Sequence, residues 1–379
     1  MNVRQFSSIF SVSDPKDANL ILMTLKYALS TKPVQVETVD IIKGEDEALF
    51  SWISTNFLNQ SLIQGQGLDT FGALDLGGAS TQYAYAEKNT DKNLSTVRNL
   101  NLFGHSYSVA SESFLCFGYY EAMDRSESIA MMKSGSEKLA DPCLPIGFQR
   151  SLDAKEFSEK PCVGNKNFTM WLRNNPDLTR LSVTGSSNYS QCKKSIELIL
   201  DEDRCEKMGY VHCLNAPRLG PLNSKFMAFS GFYYVVHFFN ASRSLEEFTN
   251  ATKNWCSLNW TEIQQISPKS QLHHVSRYCF AGIYIIELLT SKYGFDSSTW
   301  KNIDFKNEVG GADVGWTLGF MINATNNIPE KTPSPPAISL GIFVPLLSIS
   351  IIMAVLSIFV LRNHIKRYYH HGHERLLHI

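Results

Sequence analysis

The sequence predicts an α/β fold with a disulfide-stapled insertion and one C-terminal transmembrane helix. Three observations carry this expectation. Helical and alternating apolar patterns follow one another from Asp17 to Glu87, in the order expected of an α/β domain. All eight cysteines fall between Cys116 and Cys279. A run of 25 residues, Ala337 to Leu361, carries no charge.

The elements follow in chain order. Asp17 to Leu29 reads as a short helix, with Asp14-Pro15 as its turn and cap. "VQVETVDII", Val34 to Ile42, alternates and is rich in β-branched residues, which predicts a strand. Gly44 breaks it. In "EDEALFSWISTNFLNQSL" the apolar residues Leu49, Trp52, Ile53 and Phe57 have helical spacing, and acidic residues crowd the first turn, where they suit the helix dipole. "FGALDLGGASTQYAYAE", Phe71 to Glu87, reads as strand, glycine turn, strand. From Asn89 to Leu222 the chain is polar and is expected to be loop-rich, with six of the eight cysteines. "FMAFSGFYYVVHFFN" (Phe226 to Asn240) is a buried helix or strand, and "YCFAGIYIIELLTSKYGF" a core helix. A proline-rich stretch ending at Pro336 forms a stiff spacer.

The uncharged run would span roughly 37 Å as a helix, against a hydrocarbon core of about 30 Å. Arg362, Lys366 and Arg367 follow it, so the positive-inside rule puts the tail in the cytoplasm. The large N-terminal part then lies outside. An even, confined cysteine set suggests disulfides and an oxidising compartment, and Asn-x-Ser/Thr sequons begin at Asn59, Asn93, Asn167, Asn188, Asn240, Asn250, Asn259 and Asn323. The start, "MNVRQFSSIFSVSDPKD", lacks an apolar core of signal-peptide length. With 35 basic and 36 acidic residues the chain lacks the basic excess of a nucleic-acid binder.

The glycine turn carries the chemistry. Asp75 ends a strand, and Gly77 and Gly78 can take positive φ and let backbone N–H groups converge on an anion. Ser80 and Thr81 add hydroxyls, and an aspartate beside such a loop can hold a hard cation directly or through water. On composition alone a bulged hairpin explains the pattern nearly as well.

"ALDLGGASTQ" resembles the fourth signature region of the ecto-nucleoside triphosphate diphosphohydrolases, the apyrases. "GEDEALFSWISTNFL", "AFSGFYYVVHFF" and "DVGWTLGFMINATNNIP" resemble further regions of that family, in the family's order, over roughly Asp17 to Pro329. The resemblance implies an RNase H-like lobe of the actin and sugar-kinase type. It divides the chain into a remnant of a first lobe (1–43), the RNase H-like second lobe (44–306) with its insertion at about 89–222, a return segment (307–330), the spacer (331–336), the transmembrane helix (337–361) and a cytoplasmic tail (362–379). It implies hydrolysis of extracellular nucleoside tri- and diphosphates at the plasma membrane with Ca2+ or Mg2+.

Residue by residue, Glu47 falls on the catalytic base, which taken alone reads as a helix-dipole glutamate. Asp75 falls on the aspartate that holds the metal through water, and Gly77, Gly78, Ala79, Ser80 and Thr81 on a phosphate loop. Ser80 holds the attacking water and Gln82 the metal's water shell. Tyr234 and Trp316 fall on the aromatics that stack the base, with Phe232 and Phe238 left to the core. His274 stands where some relatives have an arginine. The implied disulfides are Cys116–Cys162, Cys143–Cys192, Cys205–Cys213 and Cys256–Cys279. The implied partners are the nucleotides and, around the C-terminal helix, membrane lipid. Nucleic acid is not among the implied partners, and a homo-oligomer is left open.

The family's first phosphate loop, Asp-x-Gly-Ser-Ser, and its Ala-Thr-Ala-Gly-Met-Arg signature do not occur in the 379 residues. The expectation is an N-terminally shortened member with only half of the phosphate clamp, whose turnover is weak or absent. The alternatives are a non-catalytic nucleotide- or partner-binding membrane form and, third, an adhesion or receptor ectodomain. The last leaves Glu47 and the glycine loop unexplained.

Overall fold

The computed structural model describes residues 14–33, 35–36, 38–62, 70–87, 97–216, 219–220, 222–328 and 340–376, with side chains up to 366. The chain divides into two compact units, residues 1–327 and 328–379.

In the first unit, helix α1 (Pro15–Ser30) starts at Asp14, whose side chain accepts from the Asp17 N–H. Helix α2 (Gly44–Leu58) follows. Among the described residues, 35–36 and 38–43 form no strand, against the expectation for 34–42. No described strand pairs with them, and an extended segment without a ladder partner leaves its backbone groups to water.

A six-stranded mixed sheet forms the centre, in the order β3-β4-β2-β1-β8-β9. Its members are β1 (Gly72–Leu76), β2 (Ser80–Ala86), β3 (Val97–Leu102), β4 (His105–Leu115), β8 (Phe226–Ser230) and β9 (Ile303–Phe305). The β1–β2 hairpin is antiparallel, with Asp75 opposite Gln82. β1 runs parallel to β8, with Leu76 beside Ser230.

The two-residue period of the strands divides the core. Leu74, Leu76, Tyr83 and Tyr85 pack on one side, while Ala73 and Ala84 pack on the other with Trp52 and Ile53 of α2. The stretch from Asn89 to Leu222 is not the loop-rich segment its polarity suggests. β3 and β4 extend the main sheet, helix α3 (Tyr119–Ser134) follows, and β5 (Lys138–Asp141), β6 (Gln149–Asp153) and β7 (Arg180–Gly185) form a small sheet of their own.

Four disulfides, Cys116–Cys162, Cys143–Cys192, Cys205–Cys213 and Cys256–Cys279, use every cysteine. These are the pairs the resemblance implies. Arg125 lies over the rings of Phe117 and Tyr210 and donates to the Cys162 and His212 carbonyls, tying two of these bridges together. Of the sequon asparagines, Asn93 lies outside the described residues, and the other seven all reach solvent.

"FMAFSGFYYVVHFFN" is both strand and helix: β8 turns at Ser230 into α4 (Gly231–Phe238). Helix α5 (Tyr278–Glu287) is fully buried. Near the end of the unit β10 (Glu308–Val309) and β11 (Ala312–Asp313) form a hairpin, and helix α6 (Trp316–Thr325) packs on α2. That contact is close: a Cβ on Gly319 would lie 1.9 Å from the Phe50 carbonyl oxygen, and the Gly319 N–H donates to Ser54 Oγ at 2.7 Å. Covered by the sheet and by α6, α2 buries every residue from Glu47 to Asn56.

Helix α1 is the exception to this burial. Leu20, Ile21, Met23 and Tyr27 are each more than half exposed. Exposed apolar surface of this kind promotes association, so Leu20→Glu with Met23→Glu is expected to cut aggregation of the purified chain, read by light scattering, without lowering its melting temperature.

In the second unit helix α7 runs from Leu340 to Leu376. Its stretch Gly341–Lys366 is long and apolar enough to cross a membrane. Residues 337–339 of the expected span lie outside the described residues.

Candidate active site

Two side chains on different elements meet at one end of the sheet. Asp75 is the penultimate residue of β1, and Glu47 stands in the first turn of α2. Each is 8% exposed. Their relative position is fixed at both ends of α2. Near its C-terminus Asn56 clips the helix to the start of β1: its Oδ1 accepts from the Phe71 N–H at 2.7 Å and its Nδ2 donates to the Phe71 carbonyl at 2.9 Å. At its N-terminus a Cβ on Gly44 would sit 2.1 Å from Ser113 Oγ of β4, so only glycine lets α2 start there. Asp46 is turned away to an ion pair with Arg98 on β3.

Gln82 ties Glu47 to the hairpin that carries Asp75. It faces Asp75 across the hairpin, and its Nε2 donates to Glu47 Oε2 at 3.2 Å and to Ser80 Oγ at 2.7 Å. Thr81 is spent inside the protein: its hydroxyl donates to the Asp75 carbonyl at 2.8 Å and lies 3.1 Å from Tyr293 Oη. Asp75 Oδ1 is buried and has no hydrogen-bond partner. Burial pushes Glu47 up to about 8, and the nearby Asp75 charge adds to it. Burial also raises Asp75 to about 6, against a hydrogen bond from Ser230 that lowers it. Two carboxyl groups held this way favour a cation between or beside them.

The glycine turn works differently from the sequence expectation. Neither Gly77 nor Gly78 has positive φ. Close approach is what excludes a side chain: a Cβ on Gly78 would lie 2.8 Å from the Tyr120 ring, and one on Gly118 would lie 2.3 Å from the Gly78–Ala79 backbone. The Gly77 N–H bonds to the Ser80 carbonyl at 2.9 Å and so does not point to a ligand. The N–H groups of Gly78 and Ala79 have no acceptor among the described residues. Their carbonyls are held by amides of the segment beginning at Cys116 and running into α3.

A cavity of about 630 Å³ opens beside these groups, lined among others by Glu47, Asp75, Gly78, Ser230, Tyr234 and Trp316, a volume suited to a small-molecule ligand. Ser80 and Gln82 do not line it; they reach it through Glu47. Tyr234 is 54% exposed, in keeping with an open aromatic wall, while Phe232 is fully buried. Phe238 is only partly buried and lines the cavity, so it is not purely a core residue. His274 also lines it, with Nδ1 2.8 Å from Tyr120 Oη, and the Arg277 guanidinium lies over the Tyr120 ring. Tyr120 and Ser230 were not legible as site residues. Tyr120 sits in a stretch read as loop, and Ser230 inside an apolar run, marked only by the Ser-Gly pair at the strand–helix junction.

A model of the GDA1/CD39 (nucleoside phosphatase) family matches residues 16–337. The chain is 33% identical over 346 residues to mouse ectonucleoside triphosphate diphosphohydrolase 1, covering 86% of this chain and 66% of that protein. It is 34% identical to chicken ectonucleoside triphosphate diphosphohydrolase 8, covering 83% of this chain and 64% of that protein. It therefore spans about two thirds of the length of these relatives. The crystal structure of nucleoside triphosphate hydrolases from Neospora caninum shares the fold, with a TM-score of 0.57 at 14% identity over 81% of this chain and 69% of that one. With a family match over most of its length and these relatives beside it, the chain belongs to the GDA1/CD39 (nucleoside phosphatase) family.

Proposed function

We propose that the cleft between α2 and the β1–β2 hairpin binds a nucleoside di- or triphosphate with a divalent cation and releases its terminal phosphate, with Glu47 as the base that activates the attacking water. The observation that carries this reading is the chain Ser80–Gln82–Glu47 beside a buried Asp75 oxygen that has no partner. Most buried polar atoms find a partner; this one is an acceptor left open on a residue that lines a cavity of ligand size.

The residues fit a hard cation. Among the described residues no cluster of three or more candidate ligands exists. Asp75, with water and the nucleotide's own phosphate oxygens, would hold Ca2+ or Mg2+, which takes oxygen ligands and keeps several waters. When bound, the cation neutralises phosphate charge. The chain's own groups do the rest. The Gly78 and Ala79 N–H groups receive the terminal phosphate. Glu47 takes a proton from water, and Gln82 and Ser80 fix the orientation of its carboxylate. Tyr234 and Trp316 flank the base. Positioning and charge neutralisation are most of what phosphoryl transfer asks of a protein.

We also read the chain as anchored by α7, with its large unit outside the plasma membrane and the tail in the cytoplasm, because Arg362, Lys366 and Arg367 follow the apolar run.

Phosphate release from ATP and ADP by the detergent-purified chain, with Ca2+ against chelator, tests the reading. Cation-dependent release is expected, and Tyr234→Ala is expected to raise KM about tenfold, since stacking of a base on an aromatic ring is worth roughly 1–3 kcal/mol. A second reading, nucleotide binding without turnover, is favoured by the lack of an Asp-x-Gly-Ser-Ser stretch in the 379 residues; cation-dependent binding with no release would select it.

A further inference from the structure

Thr81 ties the Asp75 backbone to a residue far along the chain. Its hydroxyl carries one proton and donates it to the Asp75 carbonyl at 2.8 Å. Toward Tyr293 Oη, 3.1 Å away, the same oxygen can therefore only accept, so the phenol is the donor. Burial pushes the Tyr293 phenol above its usual range, and it keeps the proton that it shares. This relay approaches Asp75 from behind. Thr81 has the parity of Tyr83, which packs with Tyr293 on one side of the sheet, whereas Asp75 has the parity of Ala73, on the side of α2. Tyr293 is itself fully buried and held at three points. Its ring meets the Tyr83 ring edge-on at 5.4 Å, and its carbonyl accepts from the Leu219 N–H at 3.1 Å. Its own N–H reaches back five residues to the Leu288 carbonyl at 2.9 Å, closing a π-helical turn (Leu288–Lys292) that follows α5 directly. Turns of this kind are rare and recur at functional sites.

We propose that Tyr293 is a positioning residue for the nucleotide–cation site: through Thr81 it fixes the Asp75 backbone, and with it the place from which the Asp75 carboxylate meets the water shell of a divalent cation. The inference rests on the reading of the cleft given under Proposed function. Asp75 stands next to last in β1, close to the turn, where strand ends open most readily. The carbonyl that the relay holds belongs to the same residue as the carboxylate. A hydroxyl behind the sheet thus aims an acid in front of it.

The test uses the full chain in detergent. Calorimetry gives the Ca2+ concentration for half-maximal ADP binding, and the melting temperature is measured without Ca2+. Tyr293→Phe keeps the ring against Tyr83 and removes only the donor. It is expected to raise the half-maximal Ca2+ concentration about three- to tenfold, the worth of one hydrogen bond. Thr81→Val breaks the relay at its middle and is expected to raise it at least as much. Thr81→Ser restores the hydroxyl and is expected to stay within about twofold of the parent. Because Tyr293 acts through Thr81, adding Tyr293→Phe to Thr81→Val is expected to change nothing further. A tyrosine that merely stabilises the fold would move the melting temperature and leave the half-maximal Ca2+ concentration where it was; that result overturns the proposal while leaving the reading of the cleft intact. A Tyr293→Phe effect that persists in full on the Thr81→Val background overturns it as well. A parent chain that binds no ADP in the presence of Ca2+ overturns the reading of the cleft and the role of Tyr293 with it.

Discussion

Glu47→Gln is expected to lower cation-dependent phosphate release from ATP and ADP by a factor of about 10²–10⁴, the usual contribution of a positioned base, while nucleotide binding persists. The amide keeps the shape of the carboxylate and leaves the contact with Gln82 Nε2 available, so the fold is not put at risk. Stability supplies an independent check of the same residue. In the cation-free protein Glu47 holds its proton up to about pH 8, well above an unfolded glutamate. The folded state therefore binds more protons than the unfolded state across that interval, and stability falls as pH rises through it. Glutamine has no such proton to lose. The parent is expected to lose melting temperature between pH 5 and pH 8 without cation, and Glu47→Gln to lose less of it. Parallel melting curves for the two proteins would contradict the buried-acid account of Glu47. For turnover, the base must be ionised, so the parent's rate should rise with pH on the acid side and the variant's residual rate should not.

Gly118→Ala is expected to be nearly as damaging, although the residue touches no ligand. A Cβ at 118 would lie 2.3 Å from the Ala79 nitrogen and the Gly78 carbonyl carbon. Both are backbone atoms and cannot rotate away. Either the loop or the segment between Cys116 and α3 must move. The segment is held at Cys116 by its disulfide to Cys162, so the loop is expected to give. A displacement of about 1 Å in a phosphate-binding loop can cost on the order of 10²-fold in rate, and overpacking costs roughly 1–3 kcal/mol in stability. Thermal melts and ADP titration of the variant measure both. Unchanged nucleotide binding would show that Gly78 and Ala79 are not where the phosphate sits.

The residues at the heart of the site were legible because they stand at pattern boundaries. Asp75 stands next to last in an apolar strand just before the glycines, and Glu47 stands in the first turn of a helix whose apolar spacing is regular. What the pattern could not give was why glycines are needed. The expectation of positive φ is a local argument, and at Gly78 what excludes a side chain is the Tyr120 ring, some 40 residues on in sequence. The same limit explains β3 and β4. "VRNLNL" and "HSYSVASESFL" are polar enough to read as loop, and they become strands because β2 offers β4 an edge and β4 in turn offers one to β3. Residues 34–42 are the converse, a strand pattern with no described partner. Ser230 escaped notice because nothing in "FMAFSGFYY" shows a positive φ at the serine or an N-cap whose side chain makes no cap bond. Those are properties of the junction between β8 and α4.

The most direct measurement is a structure of the full chain with Ca2+ and a non-hydrolysable nucleoside diphosphate analogue. The account predicts the terminal phosphate within hydrogen-bonding distance of the Gly78 and Ala79 amides, the cation's water shell on Asp75, a water on Glu47, and the base between Tyr234 and Trp316. A nucleotide bound elsewhere, or bound here with its phosphates pointing away from the β1–β2 turn, would contradict it.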